Sequence, residues 1–460
     1  MRLATLLKPD VERVICETPE QLVELVRDLH PEDVAEVFAD LDTEDLSRAF
    51  IVLPAHDASI AFERLDERDQ MRAVREMTDD ALVEIVACME PDRRARFIRV
   101  SGERGKDLMA SLRATHPDAA RDVESLDKWK EGTAGALMTT SFVALPHAAT
   151  VGEALDAIGK HAAERNEPIY AVYATDARGK LLAFAILRDL APLARERPMA
   201  DVWRKRCVFV GPTADEREVA SVMSKYDLAA LPVVEEDRLI GIITIDDVVD
   251  VLNQLAAKSF ERAGAVEPLD LPYFKTSFVD FLRKRGVWLL VLFVEEFFTQ
   301  TALRHYDPVF EAIHGASYYV PLLISTGGNS GSQSATLVIR GLSVGEIEPR
   351  HWWRILAREM TLGVALGGFL GAIGFLRVLM YHDQGPAFAL TIALTLVGIV
   401  VVGCSIGSML PLVLRRIGFD PATSSTPFIA SLVDVVGIIV FVHVAKLVMA
   451  DVIIAHAASH

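Results

Sequence analysis

The sequence predicts a multidomain chain: an all-α superhelical N-domain, an α/β domain of two tandem units, and a polytopic α-helical membrane domain with five transmembrane helices. Three observations lead there. Apolar stretches long enough to span a bilayer are confined to the last ~180 residues. Aspartates recur at a fixed spacing near the start, and two strand–helix–strand patterns lie between these regions. The 460 residues suffice for two or three domains. Charge follows the same division: the net charge is −17, yet from Asp280 onward twelve Lys/Arg balance twelve Asp/Glu, so the excess lies before it. Such an acidic surface repels nucleic acid and attracts cations, or serves solubility alone.

Residues 1–129 form the predicted superhelical domain. Asp33, Asp45, Asp57 and Asp69 recur every twelve residues, with Asp80 and Asp92 following at eleven and twelve. Each stands at or near a helix start before an apolar stripe, where an acid caps free N–H groups. The period fits short stacked helices. Beyond capping, the repeat offers an acidic face, Asp92 included, able to share divalent ions with a neighbouring domain. Cys16, Cys88, Cys207 and Cys404 lack paired spacing and are expected to be core thiols. Arg2, Lys8 and Asp10 precede no apolar run, so no cleaved signal is expected.

Residues 130–256 change character. One unit runs from Leu137 to Asp189, and a second starts near Met199 and ends in the strand Leu239–Thr244 and Asp246-Asp247-Val248. Pro146 and Pro212 each follow an apolar strand, and an amphipathic helix comes next. This pattern resembles a tandem of cystathionine-β-synthase (CBS) domains. In that family a Thr and an Asp three residues on hold a nucleotide ribose, and Thr244 with Asp247 fit. The same pair also reads as a strand-to-helix cap, and the first unit has Leu187-Arg188-Asp189 there and lacks the Thr. ATP or another adenine nucleotide is thus one expectation. A helix from Asp247 to Ala265 connects toward the membrane, broken by Pro268 and Pro272; residues 257–280 are its end and a linker.

Residues 281–460 contain the predicted spans Gly286–Leu303, Val309–Ile339 (interrupted), Trp352–Met380, Phe388–Leu414 and Pro427–Met449. Positive charge sets the orientation. Arg283–Arg285, then Arg340, Arg350, Arg354 and Arg358, then Arg415-Arg416 fall on one side if the N-terminal half is cytosolic; the His382–Pro386 connection has no basic residue other than His382. Trp288, Trp352 and Trp353 sit at that interface, and five spans put the C-terminus, His460, outside. Gly363, Gly367 and Gly371, with Gly403 and Gly407, repeat at the spacing that lets helices approach in lipid.

Two strings carry the chemistry. In Pro321–Ser334, three glycines and many hydroxyl and amide side chains lie at membrane depth, where irregular backbone is tolerated only when buried or lining water. Carbonyls freed at Gly327-Gly328, with Asn329 and Gln333, would supply neutral oxygen ligands for a hard cation or its hydration water. In Ser425–Gly437, Asp434 stands in an apolar helix at a cost of roughly 2.5–3.5 kcal/mol. Lys446 lies twelve residues on, about 18 Å along a helix, too far to neutralise it. Glu295-Glu296, in the first span, diverge by ~100° around a helix, so both cannot face one pore; they receive no role.

These strings and the whole layout resemble the MgtE family of magnesium channels, most specifically in Thr326-Gly327-Gly328-Asn329 and Pro427–Asp434. The resemblance implies a Mg²⁺-selective channel/transporter for uptake across the cell inner (plasma) membrane, assembled as a homodimer. It implies that Asp434 of both subunits binds hydrated Mg²⁺, helped by backbone near Ala430 and Gly328 and by Asn329. It also implies gating by cytosolic Mg²⁺, which bridges acidic domains and a connecting "plug" helix. Asn253, Gln254 and Lys258 stand where further plug acids belong, leaving Asp92, Asp227, Asp246, Asp247, Asp250 and Glu261 as regulatory candidates and implying fewer bridging ions. The alternatives are transport of Co²⁺, Ni²⁺ or Mn²⁺, disfavoured because no His, Cys or Met cluster surrounds Asp434, and a membrane-tethered nucleotide or Mg²⁺ sensor. No nucleophile–base pair or phosphate loop suggests an enzyme.

Overall fold

The computed structural model describes residues 3–164, 168–269, 271, 273–343, 345–381, 385–423 and 426–459. Arg2, Pro272, His382–Gln384, Ser425 and His460, each used above, lie outside them. The chain divides into two compact units, Met1–Leu252 and Asn253–His460.

The first unit begins with ten helices among the described residues: α1 (Leu3–Glu17), α2 (Leu22–Arg27), α3 (Pro31–Ala39), α4 (Thr43–Val52), α5 (Ala55–Glu63), α6 (Glu67–Ala73), α7 (Asp79–Cys88), α8 (Pro91–Val100), α9 (Gly102–Thr115) and α10 (Pro117–Asp127). The periodic aspartates mark the starts but are not the caps. Asp42 caps α4 by accepting from the Asp45 amide at 2.9 Å, Asp66 caps α6 through the Asp69 amide at 2.8 Å, and Thr78 caps α7. Asp33, Asp45, Asp57, Asp69, Asp80 and Asp92 all lie inside the first turn. There the helix dipole favours an acid without a capping bond.

The twelve-residue period has a packing counterpart. Phe38, Phe50 and Phe62, also twelve apart, stack edge to face at centroid distances of 5.3 and 5.5 Å, and Phe97 extends the row at 5.1 Å from Phe62. Four of the six repeats therefore deliver one ring each to a continuous aromatic spine, an arrangement that contributes beyond area burial. Arg94, 1% exposed, donates to the Val86, Ala87 and Met89 carbonyls, satisfying the C-terminal end of α7.

The α/β part follows as α11 (Ala134–Leu137), β1 (Val143–Pro146), α12 (Val151–Glu164), β2 (Ala171–Thr175), β3 (Leu181–Ile186) and α13 (Leu187–Leu190). The second copy is α14 (Glu216–Tyr226), β4 (Ala230–Glu235), β5 (Arg238–Thr244) and α15 (Ile245–Ala263). β1 pairs parallel with β2, and β2 antiparallel with β3. In the second copy β4 and β5 are antiparallel, and a parallel bridge from Val210 to Val233 stands in for the missing first strand. The second copy shares one core with the N-terminal helices, through Val210, Val219, Leu231, Ile243 and Val248, whereas the first packs around its own core at Val151, Val172 and Ala185.

The second unit contains α16 (Phe278–His305), α17 (Asp307–Ala312), α18 (Val320–Ser343), α19 (Trp352–Tyr381), α20 (Gly385–Arg416), α21 (Thr426–Val448) and α22 (Ala450–Ser459). Among the described residues, four helices are long and apolar enough to cross a membrane: Phe278–His305, Pro349–Met380, Gly385–Arg416 and Thr426–Val448. The predicted second span is not among them. It starts at Val320, after α17 and a 3-10 turn at Ala316–Tyr319, and its polar residues lower its hydropathy. Nor is it interrupted at the glycines, since Thr326–Ser330 is unbroken helix. The core-thiol expectation holds only for Cys404; Cys16 and Cys88 are exposed and Cys207 intermediate.

Replacing Phe50 by Ala removes the centre of the aromatic spine and should cost the soluble part about 3–5 kcal/mol. Phe50→Leu, which keeps most of the volume, should cost less than half as much, read from denaturant midpoints of the purified protein.

Candidate cation pathway and acid junction

Glycines set the geometry around α18. A methyl group on Gly403 would lie 2.6 Å from the Gly327 carbonyl oxygen, and one on Gly407 would run into the Gly331 carbonyl. The α18 and α20 backbones thus touch directly, close enough for Cα–H···O contacts. On the other flank Gly328 faces Ala430, with room for a Cβ only at 3.1 Å, and Gly331 meets Ile429. The Ser332 hydroxyl donates to the Thr426 carbonyl at 3.2 Å, so α21 runs antiparallel to α18.

This corrects the expectation of freed carbonyls at Gly327-Gly328. Those residues are helical and buried, so their role is close packing rather than ligation by an opened backbone. What α18 does present is a polar stripe. Ser325, Asn329, Gln333 and Thr336 are exposed, each three or four residues from the next, while Leu323, Ala335 and Val338 are buried on the opposite side. The Asn329 amide reaches Ser325 Oγ at 3.5 Å. Because Gly328 touches Ala430, and Asp434 is one turn beyond Ala430, Asn329 and Asp434 lie about one turn apart along the α18–α21 seam.

Two acids take places that the sequence did not reveal. Glu295, on α16, packs toward α21 beside Ser431, and both Glu295 and Glu296 lie within electrostatic reach of Asp434. Glu359, in α19, is 8% exposed and accepts from Ser334 Oγ on α18 at 2.5 Å. Its depth within an apolar span was the available signal, the same one that marked Asp434. Among the described residues, no three His, Cys, Asp or Glu side chains come together in a metal-sized cluster.

The regulatory candidates separate in the same way. Asp92, Asp247 and Asp250 converge on one guanidinium: Arg93, on α8, stands 3.9, 3.1 and 3.6 Å from them. Asp247 is engaged twice, Oδ1 by Arg93 and Oδ2 by the Thr244 hydroxyl at 3.1 Å, so a ribose at this pair would share the carboxylate with both partners. Asp246 is exposed. Asp227 ends α14 in the left-handed region at φ 51°, and is exposed. In the second unit Glu261 accepts from the Leu269 amide at 3.2 Å, folding the end of α15 onto its linker. Behind Arg93, Glu63 accepts from the Glu90 amide at 2.6 Å; burial, then the Glu90 carboxylate, push its carboxyl up to about 8. Burial likewise raises Glu90 and Asp247, which Arg93 partly offsets.

A helical bundle with intramembrane acids, joined to a soluble α/β and helical part, defines a membrane transport protein rather than an enzyme, and comparison with known proteins identifies the family. The description "Divalent cation transporter" (MgtE) matches residues 320–444, "MgtE intracellular N domain" residues 29–132, and "CBS domain" residues 201–254. The magnesium transporter MgtE of Thermus thermophilus is 36% identical over 371 residues, 80% of this chain and 79% of that one. The Enterococcus faecalis magnesium transporter MgtE is 28% identical over 333 residues, covering 72% of each chain. The crystal structure of the soluble part of a magnesium transporter superposes with a TM-score of 0.52 at 25% identity, over 55% of this chain and all of that one. The chain belongs to the MgtE family.

Two outcomes follow from this geometry. Gly407→Ala should lower the thermal unfolding temperature of the detergent-solubilised protein, while Gly368→Ala, with open space around it, should leave it unchanged or raise it. Glu63, raised from 4.5 to about 8 on folding, contributes stability that is full below pH 4.5 and is lost as pH rises through 8. Glu63→Gln should therefore flatten the fall in stability across that window, measured by denaturant unfolding at a series of pH values.

Proposed function

We propose that this chain is a Mg²⁺-selective channel for magnesium uptake, acting as a homodimer whose membrane part crosses the bilayer five times. The observation that carries the reading is the juxtaposition of Asp434 with the polar stripe of α18 at Asn329, in a helix pair held tight by glycine. Hydroxyl and amide groups on a membrane helix are costly against lipid and suit a water-filled path. Mg²⁺ dehydrates reluctantly, so a site of a few carboxylate and neutral oxygens can hold its hydrated octahedron. One Asp434 per chain is a weak site, and twofold symmetry doubles it. The relatives' name, magnesium transporter, favours Mg²⁺ over softer metals.

The second span, which brings the count to five, is α18. Its 24 residues reach about 36 Å, enough to cross the hydrocarbon layer. It lies parallel to α20 and antiparallel to α21, as alternate crossings require. With the basic loops inside, the N-terminal half is cytosolic and the C-terminus external. Cytosolic Mg²⁺ then gates the pore through the acids of that half: Asp227, Asp246 and Glu261, with Asp92, Asp247 and Asp250 already facing an arginine. Gating is weaker than an acid-rich plug helix would give.

The test is Mg²⁺ flux into proteoliposomes. Asp434→Ala should lower it at least tenfold, given that intramembrane acids seldom lack a pathway role, and Asn329→Ala should lower it less. Flux unchanged in Asp434→Ala would sink the pore assignment.

A further inference from the structure

We infer that the Arg93 guanidinium is a built-in counter-cation that holds α8 against α15 where a divalent ion would otherwise bridge the acids, so that this junction stays closed when Mg²⁺ is scarce. The inference rests on the reading that the acidic cytosolic half responds to Mg²⁺, and concerns which of its junctions do so.

The geometry is specific. Arg93 and Asp247 come from helices 154 positions apart, yet meet at 3.1 Å with side chains only 22% and 13% exposed. Asp250 stands 3.6 Å and Asp92 3.9 Å from the same guanidinium. Glu90 and Asp246 add to the negative field, and Arg64 is the other cation that acts on Glu90. Without a cation these acids would repel one another across the α8–α15 contact. A guanidinium meets that need without being taken from solution. It stays charged at any physiological pH and presents five donors in a fixed fork. Being part of α8, it has an effective concentration that no change in cytosolic ion level can alter. A divalent ion would have to approach the same carboxylate oxygens beside the guanidinium charge, and on Asp247 each already accepts a hydrogen bond, from Arg93 and from Thr244.

The same device recurs within the second unit. Arg262, near the end of α15, pairs with Asp420 at 2.6 Å, in the turn after α20, with side chains 35% and 18% exposed. Asp420 is fixed in turn by the Ala422 amide at 3.0 Å. Both ends of α15 are therefore tied by an arginine of the chain itself. That is consistent with a helix that carries Asn253, Gln254 and Lys258 in place of further acids.

Hydrogen–deuterium exchange of the full-length protein in detergent, in EDTA and in Mg²⁺, tests this through amides of 91–100 and 245–252. Wild type should exchange at rates within about threefold in the two conditions. Arg93→Gln should exchange at least tenfold faster in EDTA and recover in Mg²⁺. Arg93→Lys, which keeps one charge, should stay protected in EDTA and shows that substitution at this position does not unfold the domain. A wild type that itself needs Mg²⁺ for protection, or an Arg93→Gln variant as protected as wild type in EDTA, overturns the inference. Exchange does not read transport, so failure here leaves the Asp434 assignment standing, and loss of that assignment leaves this result intact.

Discussion

The close approach of α18 to its neighbours governs the membrane half. Gly327, Gly331, Gly403 and Gly407 set backbone against backbone at one contact, and Gly328 with Ala430 nearly do so at the other. In lipid there is no hydrophobic drive between helices, so such contacts depend on dispersion and on weak backbone hydrogen bonds that only small residues permit. One consequence is rotational. Once the glycine face is buried, Ser325, Asn329, Gln333 and Thr336 must point away from it, and Asp434 is brought to the same seam. The polar stripe is thus set by what α18 hides.

Charge governs the other half. The soluble half carries the chain's excess of acids, and the chain supplies cations of its own at selected places. Arg94 and Arg93 are adjacent in sequence and do different work. Arg94 is buried and binds carbonyls at a helix end, a stabilising task inside one domain. Arg93, one position round the helix, faces outward to Asp247 and Asp250. Glu63 and Glu90 behind it are desolvated, and burial holds both carboxyls above the ordinary carboxylate range.

Several elements are legible in the residues alone. The N-terminal helices follow from the twelve-residue aspartate period, although those aspartates occupy first turns while Asp42, Asp66 and Thr78 do the capping. The rings Phe38, Phe50 and Phe62 carry the same period and are the better guide to packing. Gly327-Gly328-Asn329 reads as a break yet folds as helix, because glycine lowers helix propensity locally while tight packing more than compensates in the folded bundle. Glu359 carries a legible signal too, since an acid within an apolar span is marked by composition alone; its partner is not.

By itself the sequence determined the order of domains, the membrane character of the last ~180 residues and the place of Asp434 in an apolar helix. Those depend on periodicity, segment length and the cost of charge in hydrocarbon, all of which are local quantities. Tertiary structure alone decided which face of α18 is hidden, that Glu359 meets Ser334, and that Arg93 rather than an empty acid pocket lies against Asp247. The physical reason is distance along the chain. Each of these pairings joins residues on different elements, and a contact between them acquires its energy only when packing has already brought the two together.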